Sequence, residues 1–267
     1  MYEEPYKWVE AVGNRRHYLD EQFKQGSPVV ALAYEGGIVL LTVSKGTPKL
    51  YEIYDRLALG GMGHPADLEK LRFSLLEMAH VEGFNRSPSD VTGSRMVKYG
   101  IAPVIKQAFE EVFKAPFIVK ILLAELGPKT GKEIFLTINY DGTFEESGHC
   151  AVLAANTTVE QEMLTSLRRE SGPLSLEQAV AAAIRAWAMG DRLQRQAAES
   201  ENDRGEVVPQ ATTDTAVLYA HVRETVAEKS IECVLLDRTL PGSSKYRAVT
   251  PEELGRLLPK DIQAALS

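Results

Sequence analysis

Cysteine is scarce: among 267 residues only Cys150 and Cys233 occur, each inside an apolar run. That argues against a disulfide framework and for buried thiols in a reducing compartment. No apolar run approaches the roughly 20 residues that a membrane helix needs. Met1-Tyr-Glu-Glu-Pro5 has neither the basic start nor the apolar core of a secretory leader. A soluble, cytoplasmic protein without membrane contact is expected. Basic charge is not in excess either. The 30 Lys and Arg residues against 37 Asp and Glu give a net charge of −7, which argues against a general nucleic-acid binder. Internal repeats at solenoid periods are missing. The five histidines, His17, His64, His80, His149 and His221, show no metal-ligand spacing. Each reads as a surface or capping residue, and no metal or other cofactor is expected. The acidic run Glu199 to Glu206 lacks the alternating ligands and the glycine of a calcium loop, so it reads as solvated.

What the chain does have is ordinary globular composition, 44% hydrophobic and 25% charged, enough for one large domain or two small ones. Tyr6 to Gln25 reads as an amphipathic helix. Trp8, Val12, Leu19 and Phe23 share one side, and Asn14, Arg15, Glu21 and Lys24 the other. Val29 to Tyr34 and Ile38 to Val43 are continuous apolar runs, the pattern of strands covered on both faces. Gly36-Gly37 supplies the positive φ of a tight hairpin. Leu50 to Tyr54 and Leu57 to Met62 are shorter strands.

A helix opens at His64-Pro65 and buries Leu68, Leu71, Leu75 and Ala79. The next helix, Thr92 to Phe113, turns Met96, Gly100, Ile101, Val104, Ala108 and Val112 inward and is kinked or broken at Pro103. Phe117 to Leu126 and Glu133 to Tyr140 are strands, with a further hairpin signal at Asp141-Gly142 and a short strand at Cys150 to Ala154. Two helices follow, opened by the capping-box patterns Thr158 to Gln161 and Ser175 to Gln178. The second buries Ala179, Val180, Ala183, Ile184 and Trp187. Arg192 to Thr213 is polar and reads as an exposed or disordered loop. Val217 to Val226 fits a strand or a short helix equally. Ile231 to Leu236 is a strand, and Pro251 to Leu266 is a terminal helix capped by Thr250. This order fits two face-to-face sheets with helices outside each.

Two local motifs carry little chemistry. Gly127-Pro-Lys-Thr-Gly-Lys132 has three residues between its glycines and Glu133 after the lysine, where a phosphate loop needs four and a Ser or Thr; it reads as a hairpin turn. His149-Cys150 suggests a nucleophile with its base, but adjacent strand residues point to opposite faces.

One set of motifs is specific by its order. Val29-Val-Ala-Leu-Ala-Tyr-Glu-Gly-Gly37, Tyr54-Asp-Arg56, Asp90-Val-Thr-Gly93, Ile138-Asn-Tyr-Asp-Gly142 and Ile231-Glu-Cys-Val-Leu-Leu-Asp237 resemble proteasome subunits. They most closely resemble the alpha-type subunit of bacterial 20S proteasomes, across roughly residues 8 to 258. The resemblance implies an α+β fold: the four-layer αββα sandwich of N-terminal-nucleophile hydrolases, with an extra N-terminal helix and a C-terminal helix. It implies a gate segment and ring-capping helix over 1–26, a subunit domain over 27–258 with an exposed loop at 191–213, and a tail over 259–267.

Catalytic beta-type members use an N-terminal threonine as nucleophile, supported by a carboxylate and a lysine. Anchored on Gly36-Gly37, those positions fall on Ser27, Val43 and Lys49. Ser27 lies mid-chain before Pro28, and Val43 neither accepts a hydrogen bond nor holds charge. The resemblance therefore implies a non-catalytic subunit of a homo-heptameric alpha ring, which gates entry to beta-type rings. Lys49 then lines a docking pocket beside Gly26 and Gly63, where the C-terminal carboxylate of a ring-shaped AAA ATPase or other activator is captured. Substrates would be proteins, in bacteria some marked by a ubiquitin-like tag. The gate motif Tyr-Asp-Arg near the N-terminus of archaeal and eukaryotic relatives is missing here, Tyr54-Asp-Arg56 being a different site in a strand; Met1 to Pro5 could still close the pore, with no residue assigned to that role. The alternatives are an active hydrolase cleaved before Ser27 and a ring scaffold without a protease partner.

Overall fold

The computed structural model describes residues 5–111, 113–128, 132–170, 172–202 and 211–263. Helix α1 (Pro5–Phe23) leads into β1 (Val29–Tyr34), β2 (Gly37–Ser44), β3 (Leu50–Tyr54) and β4 (Leu57–Gly63). Helix α2 (Pro65–Asn85) follows, then the short α3 (Gly93–Arg95), a π-helical turn (Met96–Ile101) and α4 (Ala102–Glu110). Strands β5 (Val119–Glu125), β6 (Ile134–Ile138), β7 (Phe144–Ser147) and β8 (Cys150–Leu153) come next. The chain closes with α5 (Thr157–Arg168), α6 (Leu176–Asn202), α7 (Thr215–Val226), β9 (Ser230–Asp237), β10 (Tyr246–Ala248), α8 (Pro251–Leu257) and α9 (Lys260–Gln263).

Two five-stranded sheets result, ordered β10-β9-β2-β1-β8 and β3-β4-β5-β6-β7. Alternation along each strand sorts the side chains into three apolar layers. Val29, Ala31, Ile38 and Leu40 meet Ala58, Met62, Leu122, Ala124 and Phe135 between the sheets. Val30, Leu32, Val39, Leu41 and Val43 face the opposite way, against Ala183, Ile184 and Trp187 of α6. Ile53, Leu59, Ile121 and Leu123 pack under Leu71 and Leu75 of α2. This is the expected αββα sandwich, and both faces of β1 and β2 are buried as their unbroken apolarity implies. The α2 stripe is as read: Leu68, Leu71, Leu75 and Ala79 are its buried residues.

Helix α1 is tied to the sandwich rather than laid upon it. Leu19 and Phe23 are fully buried in the inter-sheet core, whereas Trp8 is 47% exposed. Arg15, expected on the polar face, donates to the carbonyls of Ala108, Phe109 and Glu111 at 2.9, 2.9 and 3.1 Å. Those carbonyls lie at the C-terminal end of α4, where a guanidinium is favoured by hydrogen bonding and by the helix dipole.

Several local expectations shift, each for a physical reason. The β1–β2 turn is centred on Glu35-Gly36, since Tyr34 pairs with Gly37. The positive φ, 153°, belongs to Gly37. Pro103 acts one turn ahead of itself. It has no N–H for the preceding turn, and Ala102 bonds back to Val97 in π fashion. The extra residue moves the buried stripe by one, so Val104 is 46% exposed while Ile105 and Phe109 are buried. Val112 lies outside the described residues.

Helix α5 is capped by Asn156, whose Oδ1 accepts from Val159 N at 3.0 Å, two residues before the expected Thr158. The Ser175–Gln178 box forms reciprocally. The expected exposed loop at 191–213 is helical as far as Asn202. Asp191, Leu193 and Gln194 are buried there and have partners that a solvated loop would lack. Residues 203–210 of that segment lie outside the described residues, as do Met1 to Glu4 of the expected gate. Val217 to Val226 resolves as helix α7. The terminal helix breaks between Leu257 and Lys260, because Pro259 holds Leu258 extended at φ −71°, ψ 149°. Residues 259–263 are no loose tail, since Ile262 is fully buried.

Gly37 leaves no room for a side chain. A Cβ there would stand 1.9 Å from the Leu236 carbonyl oxygen on β9. Gly37→Ala is expected to lower stability by more than about 1 kcal/mol, read as an earlier urea midpoint. An unchanged midpoint would mean that β2 and β9 approach less closely than described.

Candidate functional site

Gly26, Ser27, Val43, Lys49 and Gly63, all singled out from the sequence, line one pocket of about 400 Å³. It opens where α1 hands over to β1, and where β2 and β4 end and β3 and β9 begin. Each wall has a local cause. The Gly26 carbonyl accepts from Gln194 Nε2 at 2.7 Å, while Gln194 Oε1 accepts from Ala155 N at 2.7 Å. A Cβ on Gly26 would meet Met62 Cε at 2.4 Å. Gly63 has φ 131°, and a Cβ there would fall 2.1 Å from the Ile118 carbonyl oxygen. Gly63 is therefore required by its backbone conformation and close packing, whereas Gly26 packs under the mobile end of Met62. The same Ile118 carbonyl accepts from His64 N at 2.7 Å, and His64 Nδ1 caps α2 by accepting from Ala66 N at 3.3 Å.

Ser27 is poorly placed for nucleophilic chemistry. It is 6% exposed, and its Oγ accepts from the Trp187 indole N–H at 3.0 Å. Val43, at the expected carboxylate position, is fully buried in the core against α6. No hydrogen bond joins Ser27 Oγ to a histidine, lysine or carboxylate among the described residues.

Lys49 is half-buried. Its backbone is anchored by Glu232 of β9, whose Oε2 accepts from Lys49 N at 2.9 Å and Leu50 N at 3.3 Å. Glu232 Oε1 accepts from Ser44 Oγ. Burial pushes the Lys49 ammonium below the usual lysine value; Glu232 opposes this, Lys229 adds to it and Asp191 opposes it. The pocket lining includes Lys45, Lys49 and Lys229 and no carboxylate. A cavity so lined suits an anion. Two other cavities, of about 380 and 730 Å³, mix carboxylates with their cations and include none of the five positions.

Sequence reading missed four groups here: Trp187 as donor to Ser27, Gln194 as clamp on Gly26, Glu232 as anchor for the Lys49 segment, and the flanking Lys45 and Lys229. Glu232 had a signal, as the one carboxylate within the apolar run Ile231 to Leu236. Lys45 lay between Val43 and Lys49 in the chain, whereas Trp187, Gln194 and Lys229 had no signal, because they reach the pocket only through long-range packing. His221, expected at the surface or in a cap, is 7% exposed and bonds Asp191 Oδ2 at 2.8 Å. The Trp187 ring of α6 stacks on it at 6.2 Å between centroids, and Asp191 supplies the partner that burial demands. His149 is exposed and Cys150 buried, on opposite faces as expected, and burial raises the Cys150 thiol pKa, away from nucleophile chemistry. Of the Gly127–Lys132 turn, residues 129–131 lie outside the described residues. No cluster of three or more metal-ligating side chains occurs among the described residues. No helix among them is long and apolar enough to cross a membrane.

A four-layer sandwich with a pocket at this corner defines a class of protein, and sequence comparison agrees. A model described as "Proteasome subunit" matches residues 23–205, and the chain belongs to that family. Within it the chain is of the bacterial alpha type. It is 26% identical over 262 residues to the proteasome subunit alpha of Streptomyces griseus, covering 96% of this chain and 83% of that protein. To the Thermobifida fusca subunit it is 26% identical over 247 residues, 92% and 86% of the two chains. To that of Acidimicrobium ferrooxidans it is 30% identical over 162 residues, 60% and 69%. Membership implies assembly with other proteasome subunits.

The buried ammonium predicts a pH dependence of known sign. The folded-state pKa of Lys49 lies below its unfolded value, so carrying the charge costs stability. The cost is fully present below the folded pKa and vanishes as pH rises through the unfolded value near ~10.4. Lys49→Met is expected to raise the urea midpoint at pH 7, by an amount that shrinks as pH approaches that value. A lower midpoint at neutral pH would show the ammonium to be stabilising.

Proposed function

We propose that this chain is a non-catalytic ring subunit of a bacterial proteasome, in which seven copies gate entry to catalytic beta-type rings. In this reading the Lys49 pocket docks the C-terminal tail of a ring-shaped ATPase or other activator. The substrates are proteins, some carrying a ubiquitin-like tag, and the complex works in the cytoplasm. One observation carries the docking role: the lysines of the pocket share its lining with no carboxylate. Capture of a terminal carboxylate needs a cation and room for the peptide backbone, and both are there.

The non-catalytic role is supported by chemistry that is lost. An N-terminal nucleophile needs a free amine to take its proton, whereas Ser27 lies within a chain whose preceding residues pack into the core through Leu19 and Phe23. Its hydroxyl is engaged by Trp187, and Val43 supplies no carboxylate. Helix α1, held by Arg15 on the end of α4, is built in as a structural element rather than as a removable leader.

Two measurements test this. The chain purified alone is expected to keep its full mass and to leave fluorogenic peptides uncut. Loss of residues 1–26 with cleavage that Ser27→Ala abolishes would establish a hydrolase instead. In a complex reconstituted with a beta-type subunit and an ATPase, Lys49→Glu is expected to abolish ATPase-stimulated degradation while particle size is unchanged. Full stimulation in that variant would remove Lys49 from the docking site.

A further inference from the structure

The pocket holds more positive charge than one terminal carboxylate neutralises. Ser44 pairs with Ser230 at the end of the β2–β9 ladder, so Lys45 and Lys229 face each other just beyond it. Lys49 is brought beside them because Glu232 holds its backbone to β9. Three segments thus deliver three lysines to one cavity. None of them forms a salt bridge to a carboxylate among the described residues. Like charges placed opposite each other across strands are destabilising.

The nearby acids are already engaged. Glu232 accepts from two backbone amides and the Ser44 hydroxyl. Asp191 is shared between His221 and Arg195, each at 2.8 Å. A chain of net charge −7 that keeps such a cluster beside a cavity is suited to receive more than one negative charge.

We infer that the pocket selects a doubly anionic tail: a peptide C-terminus whose terminal carboxylate is accompanied, within its last four residues, by at least one Asp or Glu side chain. The terminal carboxylate meets Lys49, and the acidic side chain meets Lys45 and Lys229 at the mouth. Lys49 and Lys229 are both half-buried, whereas Lys45 is exposed and contributes most at low ionic strength. This inference rests on the docking reading of Lys49 and adds the class of tail.

The test uses the full-length chain in its assembled form and a fluorescein-labelled ten-residue peptide. The peptide carries Glu or Gln at the third and fourth positions from its end, each made with a free carboxylate and as the amide. By anisotropy the Glu peptide is expected to bind about fivefold tighter than the Gln peptide, within the range of a partly exposed ion pair. The Lys45→Gln, Lys229→Gln double variant is expected to erase that difference. Equal binding of Glu and Gln peptides, with both weakened by amidation, would overturn the acidic preference and leave the docking site standing. A difference that persists in the double variant would also overturn it, since the acid would then be read elsewhere. Binding indifferent to amidation in every peptide would remove the docking reading itself, and the inference with it.

Discussion

The structure turns on the junction Gly26-Ser27, where α1 hands over to β1, and on the two α6 side chains that hold it. Gln194 joins the Gly26 carbonyl to the Ala155 amide, and the Trp187 indole N–H is donated to the Ser27 hydroxyl. Both side chains are buried. A buried polar group left without its partner costs about 1–3 kcal/mol, so each of these bonds fixes the backbone it touches. The helix layer, the N-terminal helix and the pocket are thereby one unit. If the junction moved, Lys49 would lose its opposite wall.

The same junction gathers the positions that the family resemblance singled out. The sandwich still brings Ser27, Val43 and Lys49 to one cavity. A hydroxyl is held by an indole, a carboxylate position is apolar core, and a lysine sits among further lysines. With no carboxylate in the lining, an anion from outside is the partner that best satisfies the site. Burial depresses the Lys49 ammonium, so keeping its charge there costs stability.

Much of the fold was legible because its signals are local. Strands β1 and β2 declare burial on both faces by unbroken apolarity, and the α2 stripe emerges from its spacing alone. Errors arose where a distant or irregular feature set the outcome. The π turn before Pro103 moved the α4 stripe by one residue. Polar composition over 192–202 suggested solvent, yet Leu193 and Gln194 are buried by strands far away in sequence. Arg15 looked like surface charge and instead caps α4.

The sequence by itself determined the layered sandwich and the family, since these depend on residue identity and periodic pattern. It also marked Lys49 as the one position kept. Only the tertiary structure decided what surrounds that lysine. Trp187, Gln194, Lys229 and Glu232 lie 138 to 205 positions beyond Ser27 or Lys49 in the chain. No local pattern encodes which buried donor meets which acceptor, or which cations share a cavity. Those pairings exist only once both sheets have closed over their common core.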